Sequence, residues 1–256
     1  MKLSIIVPAY NEEQRIESTL NAYSSFFDRK LKNNYEIIVI PNNCNDNTTS
    51  IVSKFSKKHK KVRSKEFKYY IGKAGAIIEG FKLSKGDFVG FTDADNSAPP
   101  ESFFKLFDGL QGYDGAIGSR WLKDSQINLK QSFSRRFFSR SYNLLIKLLL
   151  QLDYYDTQCG CKIFKKDQVD KVIPFLGNSR WAFDVDLLYH LKKFNSKIKE
   201  VPIIWADDPR THLNLFRASS QMLLSLIRLR LLYSPFQFII HSYDKTLGKW
   251  NQKKRK

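Results

Sequence analysis

Asp87-Phe88-Val89-Gly90-Phe91-Thr92-Asp93-Ala94-Asp95 is the stretch on which the reading of this chain turns. Asp87–Thr92 is a short apolar run of strand length, and it ends on two carboxylates separated by one alanine. Working outward, Ser4–Pro8, Tyr35–Ile40 and Asp114–Gly118 are runs of the same kind. Between them the apolar spacing is helical, over Glu12–Phe27, Thr48–Ser56 and Gly72–Leu83. Pro99 and Pro100 open a further helix over Glu101–Leu110, since proline is tolerated in a first turn. Continuous apolar strands that alternate with helices predict a mostly parallel central sheet covered on both faces. In such sheets ligands bind beyond the carboxyl ends of the strands. Tyr10-Asn11-Glu12, Asn42-Asn43 and Asp93-Ala94-Asp95 all follow strands and are predicted to converge there.

After residue 120 the pattern changes. Phe133–Leu152 reads as a basic and apolar helix, Arg180–Lys193 includes another, Ile198–Trp205 reads as a strand, and Leu213–Leu232 as a long amphipathic helix. Residues 1–212 are taken as one catalytic domain and 213–256 as an amphipathic, membrane-associating helical region with a basic tail. Residues 62–70 give no clear pattern.

Five segments have side chains suited to chemistry. Asp93 and Asp95 suit one hard cation, Mg²⁺ or Mn²⁺, which prefers oxygen ligands and leaves positions for a substrate phosphate. The tripeptide alone would equally serve as a helix cap and a solvated turn; its place after the strand favours a site. Gly72-Lys73-Ala74-Gly75-Ala76 lets backbone N–H groups approach a phosphate at a helix start, with Lys73 adding a charge. It matches neither a Walker A loop nor a dinucleotide fingerprint. Arg135 and Ser139 share one side of the helix that begins near 133, so they could hold a phosphate or simply form an exposed basic face. Asp156-Thr157-Gln158-Cys159-Gly160-Cys161-Lys162 is a polar stretch between apolar helices. Asp184 and Asp186 cannot share a helix face, so a second metal pair is not expected there, although Asp184 alone could point into a cleft.

Composition limits the partners. Lys and Arg number 43 against 25 Asp and Glu in 256 residues, a net charge of +18, which favours polyanions: nucleic acid, an anionic membrane face or a phosphorylated substrate. No nucleic-acid-binding module is present, so that class is set aside. The odd cysteine count, at 44, 159 and 161, argues against a disulfide framework and for a reducing compartment. Met222–Ile240, the most apolar long stretch, contains Arg228, Arg230 and Pro235. Each arginine at a bilayer centre would cost ~2.5–3.5 kcal/mol on insertion scales, so no transmembrane helix is expected, and an interfacial helix remains open.

Taken in order, these segments resemble the family-2 glycosyltransferases. Val7-Pro8-Ala9-Tyr10-Asn11-Glu12 is similar to that family's opening nucleotide-binding strand, and Asp93-Ala94-Asp95 to its metal motif. Gly118-Ser119-Arg120, Arg135-Arg136-x-x-Ser139-Arg140 and Asp156-Thr157-Gln158-Cys159-Gly160 narrow the resemblance to polyprenyl-phosphate sugar synthases. Arg180-Trp181-Ala182-Phe183-Asp184 and the Ile227-Arg228-Leu229-Arg230 helix are most similar to the dolichyl-phosphate β-glucosyltransferases. The resemblance implies a Rossmann-like GT-A α/β fold and inverting transfer of a hexose, glucose or N-acetylglucosamine, from a nucleotide-sugar donor, with a UDP-sugar favoured. The acceptor it implies is a polyprenyl-phosphate lipid, used at the cytoplasmic face of a membrane. It assigns Asp95 to metal and Asp93 to metal or nucleotide, places Pro8, Tyr10, Glu12, Asn42, Lys73 and Ala94 at the nucleotide, and gives the acceptor phosphate to Arg120, Arg135 and Ser139. Asp184 joins the catalytic set. Two features depart from the pattern. Pro41-Asn42-Asn43 stands where the family usually has acidic residues, so Asn42 would read a base through its amide. No membrane helix precedes the first strand, so membrane contact is expected from 133–152 and 213–240. An alternative keeps the transferase but uses a saccharide hydroxyl acceptor, with Asp184 or Asp156 as base.

Overall fold

The computed structural model describes residues 2–127, 133–176, 182–206, 215–238 and 240; for 133–139 and 215–219 it describes the backbone alone. In chain order the elements are β1 (Leu3–Ala9), α1 (Ile16–Leu31), β2 (Tyr35–Pro41), α2 (Thr48–Lys58), β3 (Val62–Ser64), α3 (Gly72–Leu83), β4 (Phe88–Phe91) and α4 (Pro100–Asp108). They continue with β5 (Gly115–Ser119), β6 (Gln126–Ile127), α5 (Phe133–Leu150), β7 (Lys162–Lys165), α6 (Lys166–Val172), α7 (Phe183–Lys193), β8 (Ile198–Pro202), β9 (Ile204–Trp205) and α8 (Leu215–Leu232).

Seven strands form one sheet in the order β3-β2-β1-β4-β7-β5-β8, and β6 pairs with β9 separately. β1 runs parallel to β2 and β4, β2 to β3, and β5 to β8; β7 alone is antiparallel to its neighbours β4 and β5. The first strand explains the unbroken apolar runs. Leu3, Ile5, Val7 and Ala9 face one helical layer, where Leu20, Tyr23, Phe27, Phe103 and Leu106 pack, while Ile6 faces the other. That second layer contains Ile77 and Phe81 of α3, Ile146 of α5, Leu187 and Leu191 of α7, and Leu226 and Leu229 of α8. Both faces being covered, neither can be polar. Fully burying one such side chain is worth ~1.5–3 kcal/mol, so the two layers are the main source of stability.

The strand order reverses at β1, which lies between β2 and β4. β1 pairs with β2 along its whole length, but its register with β4 ends at Ile6–Phe91. Pro8 follows two residues later and has no N–H to extend the ladder. The sheet therefore splits at this end, at the switch point where open α/β sheets bind ligands.

Two sequence expectations need correction. The first helix begins at Ile16 rather than Glu12, because Glu12 and Glu13 donate their backbone N–H groups to Thr48 Oγ1 and Asp46 Oδ2 across the loops. The strand expected over Ile198–Trp205 is two strands, β8 on β5 and β9 on β6. Between them Ile203 is buried and its carbonyl accepts the Gln126 N–H. β7 was not anticipated. The last helix starts at Leu215; residues 207–214, including Leu213, lie outside the described ones, as do Arg180 and Trp181. Among the described residues no helix is long and apolar enough to cross a membrane.

Candidate active site

At the split in the sheet lies a cleft of about 370 Å³. Pro8, Tyr10 and Glu12 line it from the end of β1, Asn42 from the end of β2, Gly72 and Lys73 from the start of α3, and Asp93, Ala94 and Asp95 from the end of β4. Arg15 and Tyr70 complete its wall. All the nucleotide and metal positions expected from sequence therefore meet in one cavity.

The Asp93–Asp95 turn is held from outside the cleft. Thr92 is buried and donates its N–H to Ile6 O. Tyr23 of α1 shares a 2.9 Å hydrogen bond with Thr92 Oγ1 and donates to Ala98 O at 2.7 Å. Thr19, one turn earlier, donates to Ala94 O at 2.8 Å. One helix thus pins both ends of the loop that presents the carboxylates. Asp95 Oδ1 accepts the Ser97 N–H at 2.9 Å, which closes a local turn and leaves the second oxygen for a ligand.

Asp93 is paired with Lys73 at 2.5 Å. The Lys73 side chain is about half exposed; its surroundings partly desolvate it, but Asp93, Asp184 and Asp95 outweigh that and hold the ammonium above the usual lysine range. Lys73 follows Gly72, whose φ of +69° is the left-handed conformation that glycine adopts without strain. The Gly72 N–H donates to Asn42 Oδ1 at 3.1 Å, while Asn42 Nδ2 donates to Ala9 O at 3.1 Å. Asn42 is buried, and its amide ties β1, β2 and α3 together under the cleft. That is a structural use beyond the base-reading one expected from sequence. Glu12 pairs with Arg15 at 2.6 Å, yet burial raises its carboxyl above the ordinary range against the pull of Arg15. Tyr10 and Tyr70 are both largely exposed and meet edge-on at 6.1 Å between ring centres, which offers aromatic faces to a base.

Behind the cleft, Gly160 lies against Asp93: a methyl built on it would fall 2.0 Å from Asp93 Oδ2. The Gly160→Ala variant is expected to displace that carboxylate and lower turnover about a hundredfold, as small misplacements do. Steady-state kinetics beside thermal melting checks this, and a variant with unchanged kcat would show that the contact is irrelevant.

The remaining expected positions lie outside this cavity. Arg120 follows β5, and its Nε and Nη2 donate to Asp156 at 2.7 and 2.9 Å, with its ring neighbour Trp205 centred 5.1 Å away. Asp156 is fully buried; burial would raise its pKa, but Arg120 and Lys162 outweigh this and lower it. Asp184, in the first turn of α7, pairs with Lys162 at 2.6 Å. Arg135 and Ser139 fall on α5, but their side chains lie outside the described residues.

The model of glycosyl transferase family 2 matches residues 4–173. The chain belongs to this family. As a family 2 glycosyltransferase it is similar to the dolichyl-phosphate β-glucosyltransferase of Dictyostelium discoideum, at 34% identity over 243 residues covering 90% of this chain and 74% of that one. It is similar to the Homo sapiens protein of the same name at 30% identity, over 91% of this chain and 76% of that one. Among solved structures, glucosyl-3-phosphoglycerate synthase from Mycobacterium tuberculosis, in complex with Mn²⁺, UDP and phosphoglyceric acid, aligns with a TM-score of 0.65 at 20% identity, over 90% of this chain and 78% of that one. The GT-A glycosyltransferase fold follows from that likeness.

Four residues of this glycosyltransferase were missed from sequence. Arg15 had a signal, its spacing three residues after Glu12. Tyr23 was read as core, which it is, with a hydroxyl that also serves the site. Tyr70 lay in the stretch with no clear pattern, and Lys162 was seen only as the end of the polar stretch that begins at Asp156.

Proposed function

We propose that this glycosyltransferase moves a hexose, with glucose or N-acetylglucosamine favoured, from a UDP-sugar to dolichyl or another polyprenyl phosphate, with inversion, supplying a lipid-linked sugar for glycan assembly. One observation carries the reading: Asp93, Asp156 and Asp184 are each matched to a cation, Lys73, Arg120 and Lys162. A saccharide hydroxyl needs a base to take its proton. An acceptor phosphate is already anionic, and its oxygen attacks C1 of the sugar while the C1–O bond to the diphosphate breaks, leaving UDP. Positioning and charge neutralisation then suffice. The dolichyl-phosphate names of the relatives support the same acceptor.

Within the cleft, Tyr10 and Tyr70 take the base and Gly72 and Lys73 face the diphosphate; outside it, Arg120, Arg135 and Ser139 take the acceptor phosphate. Asp93 and Asp95 fit a divalent cation: their oxygens are hard donors, and the buried Asn96 Oδ1 beside them has no hydrogen-bond partner among the described residues. Among the described residues no third His, Cys, Asp or Glu completes a cluster, so the other positions fall to nucleotide oxygens and water, as Mg²⁺ and Mn²⁺ accept. Such a cation supplies positive charge to the leaving diphosphate; the Mycobacterium tuberculosis structure holds Mn²⁺ with UDP.

Residues 213–256 and α5 are proposed to lie on the cytoplasmic membrane face. Leu144 and Leu148 on α5, and Leu223, Leu224 and Ile227 on α8, are exposed while Leu226 and Leu229 face the core. Apolar side chains near basic ones suit an anionic lipid surface.

The test supplies labelled UDP- and GDP-sugars with dolichyl phosphate in vesicles or with free glycans. Label from a UDP-sugar in the lipid extract is the expected result, and label on glycan alone would replace this reading with a saccharide acceptor. In the same assay Arg135→Ala is expected to raise the acceptor KM about tenfold or more, the loss of a charged phosphate contact, with donor KM nearly unchanged. Unchanged acceptor kinetics would remove Arg135 from the phosphate site.

A further inference from the structure

The one antiparallel strand brings a lysine to the catalytic end of the sheet. Because β7 runs against β4 and β5, its first residue, Lys162, pairs with Phe91 and Ile117 near the carboxyl ends of those strands. Its side chain is fully buried, with Nζ over the Phe91 ring at 5.4 Å. Nζ donates to Cys159 O and to Asp184 Oδ1, the latter at 2.6 Å, and the Asp184 side chain is 14% exposed. Lys162 is paired with Phe91, two residues before Asp93, and Gly160, two residues before Lys162, lies against Asp93, so the pair stands close behind the carboxylates of the cleft. A mostly buried carboxylate and its buried cation thus stand next to the loop that presents Asp93.

Taking an ammonium out of water is costly, and an apolar pair of similar volume is often as stable or more so. Stability therefore gives no strong reason for Lys162 to be charged. We propose that Lys162 is a positioning residue for transfer. It fixes the Asp184 carboxylate in one orientation behind the Asp93 loop. It also cancels a negative charge that would otherwise face the incoming acceptor phosphate. This rests on the phosphate-acceptor reading above.

The test is a double-mutant cycle with Lys162→Met and Asp184→Asn, read as kcat, donor KM and melting temperature. If Lys162 works through Asp184, each single variant loses about a hundredfold in kcat, as misplaced groups do, with donor KM within about twofold. The double variant is expected to be no slower than Asp184→Asn. Lys162→Met leaves a carboxylate without its counter-ion, so its melting temperature falls and that of the double recovers while activity does not. That separation is one a purely structural role would not give. Losses that multiply in the double variant, wild-type kcat in Asp184→Asn, or activity that recovers together with melting would each overturn the proposal. Should Lys162→Met fail to fold, the double variant and Asp184→Asn, neither of which strands a carboxylate, decide the matter by equal or unequal kcat. Wild-type protein run with lipid phosphate and glycan acceptors reads the acceptor question separately, and the cycle uses whichever acceptor it takes.

Discussion

Asp95→Ala is expected to lower sugar transfer by about a thousandfold or more, with the melting temperature changed by only a few degrees. The carboxylate is part of the cleft, and among the described residues its hydrogen bond is the short turn to the Ser97 N–H. Losing such a bond costs about 1 kcal/mol. Tyr23 and Thr19 still hold the loop through Thr92, Ala94 and Ala98. The catalytic loss is larger because charge on a departing diphosphate needs several kcal/mol of stabilisation, and about 4 kcal/mol is a factor of a thousand. Transfer rates beside calorimetric titration of UDP with and without Mn²⁺ make the measurement. The variant should bind UDP with no gain from the cation. Wild-type turnover in Asp95→Ala would sink the metal assignment.

The largest effect on stability is expected from Asp156→Leu. Asp156 is fully buried and accepts Nε, Nη2 and the backbone N–H of Arg120, the last at 3.0 Å. Arg120 cannot release a proton, so removing Asp156 takes the buried counter-charge from beside it, a change that costs about 3–5 kcal/mol. For a chain of this size that is about 10 °C in melting temperature. A pH dependence goes with it. Arg120 lowers the Asp156 carboxyl in the folded protein. The unfolded chain therefore binds the proton first, below about pH 4. The contribution of the pair is complete above that pH and is lost as pH falls through the lower, folded value. Urea midpoints from pH 7 down to pH 3 should show a steeper acid loss for the wild type than for Asp156→Leu. Parallel curves would mean that the pair does not govern acid stability. Glu200 works in the opposite direction: burial raises its carboxyl, although it accepts the Tyr155 and Asp156 N–H groups, so it favours folding as pH falls through its own raised value.

The sites of these two variants were not equally legible in the sequence. Asp95 was, because a strand buried on both faces is mostly apolar, and a pair of carboxylates at its end marks where the chain leaves the core. The same logic found Tyr10, Glu12 and Asn42 after their strands. It also placed α3 at Gly72–Leu83, where a glycine start and helical apolar spacing coincide. Asp156 was seen as part of a polar stretch and as a candidate base, not as the partner of Arg120. Its partner is 36 residues away, and the pair exists because β5 and the loop before β7 lie side by side.

The amino-acid sequence by itself determined the alternation of strands and helices, the edge of the sheet at which ligands bind, and the carboxylates that stand there. These follow from local periodicity and from the need to keep both faces of a parallel sheet dry. Only the tertiary structure decided which charges meet. Lys162-Ile163-Phe164-Lys165 is too short and too basic at its ends to be read as a central strand, and nothing local gives its direction. Its antiparallel insertion between β4 and β5 sets Gly160 against Asp93 and Lys162 against Asp184. Those contacts join residues 67 and 22 positions apart, and long-range packing alone brings such pairs within a hydrogen bond's length.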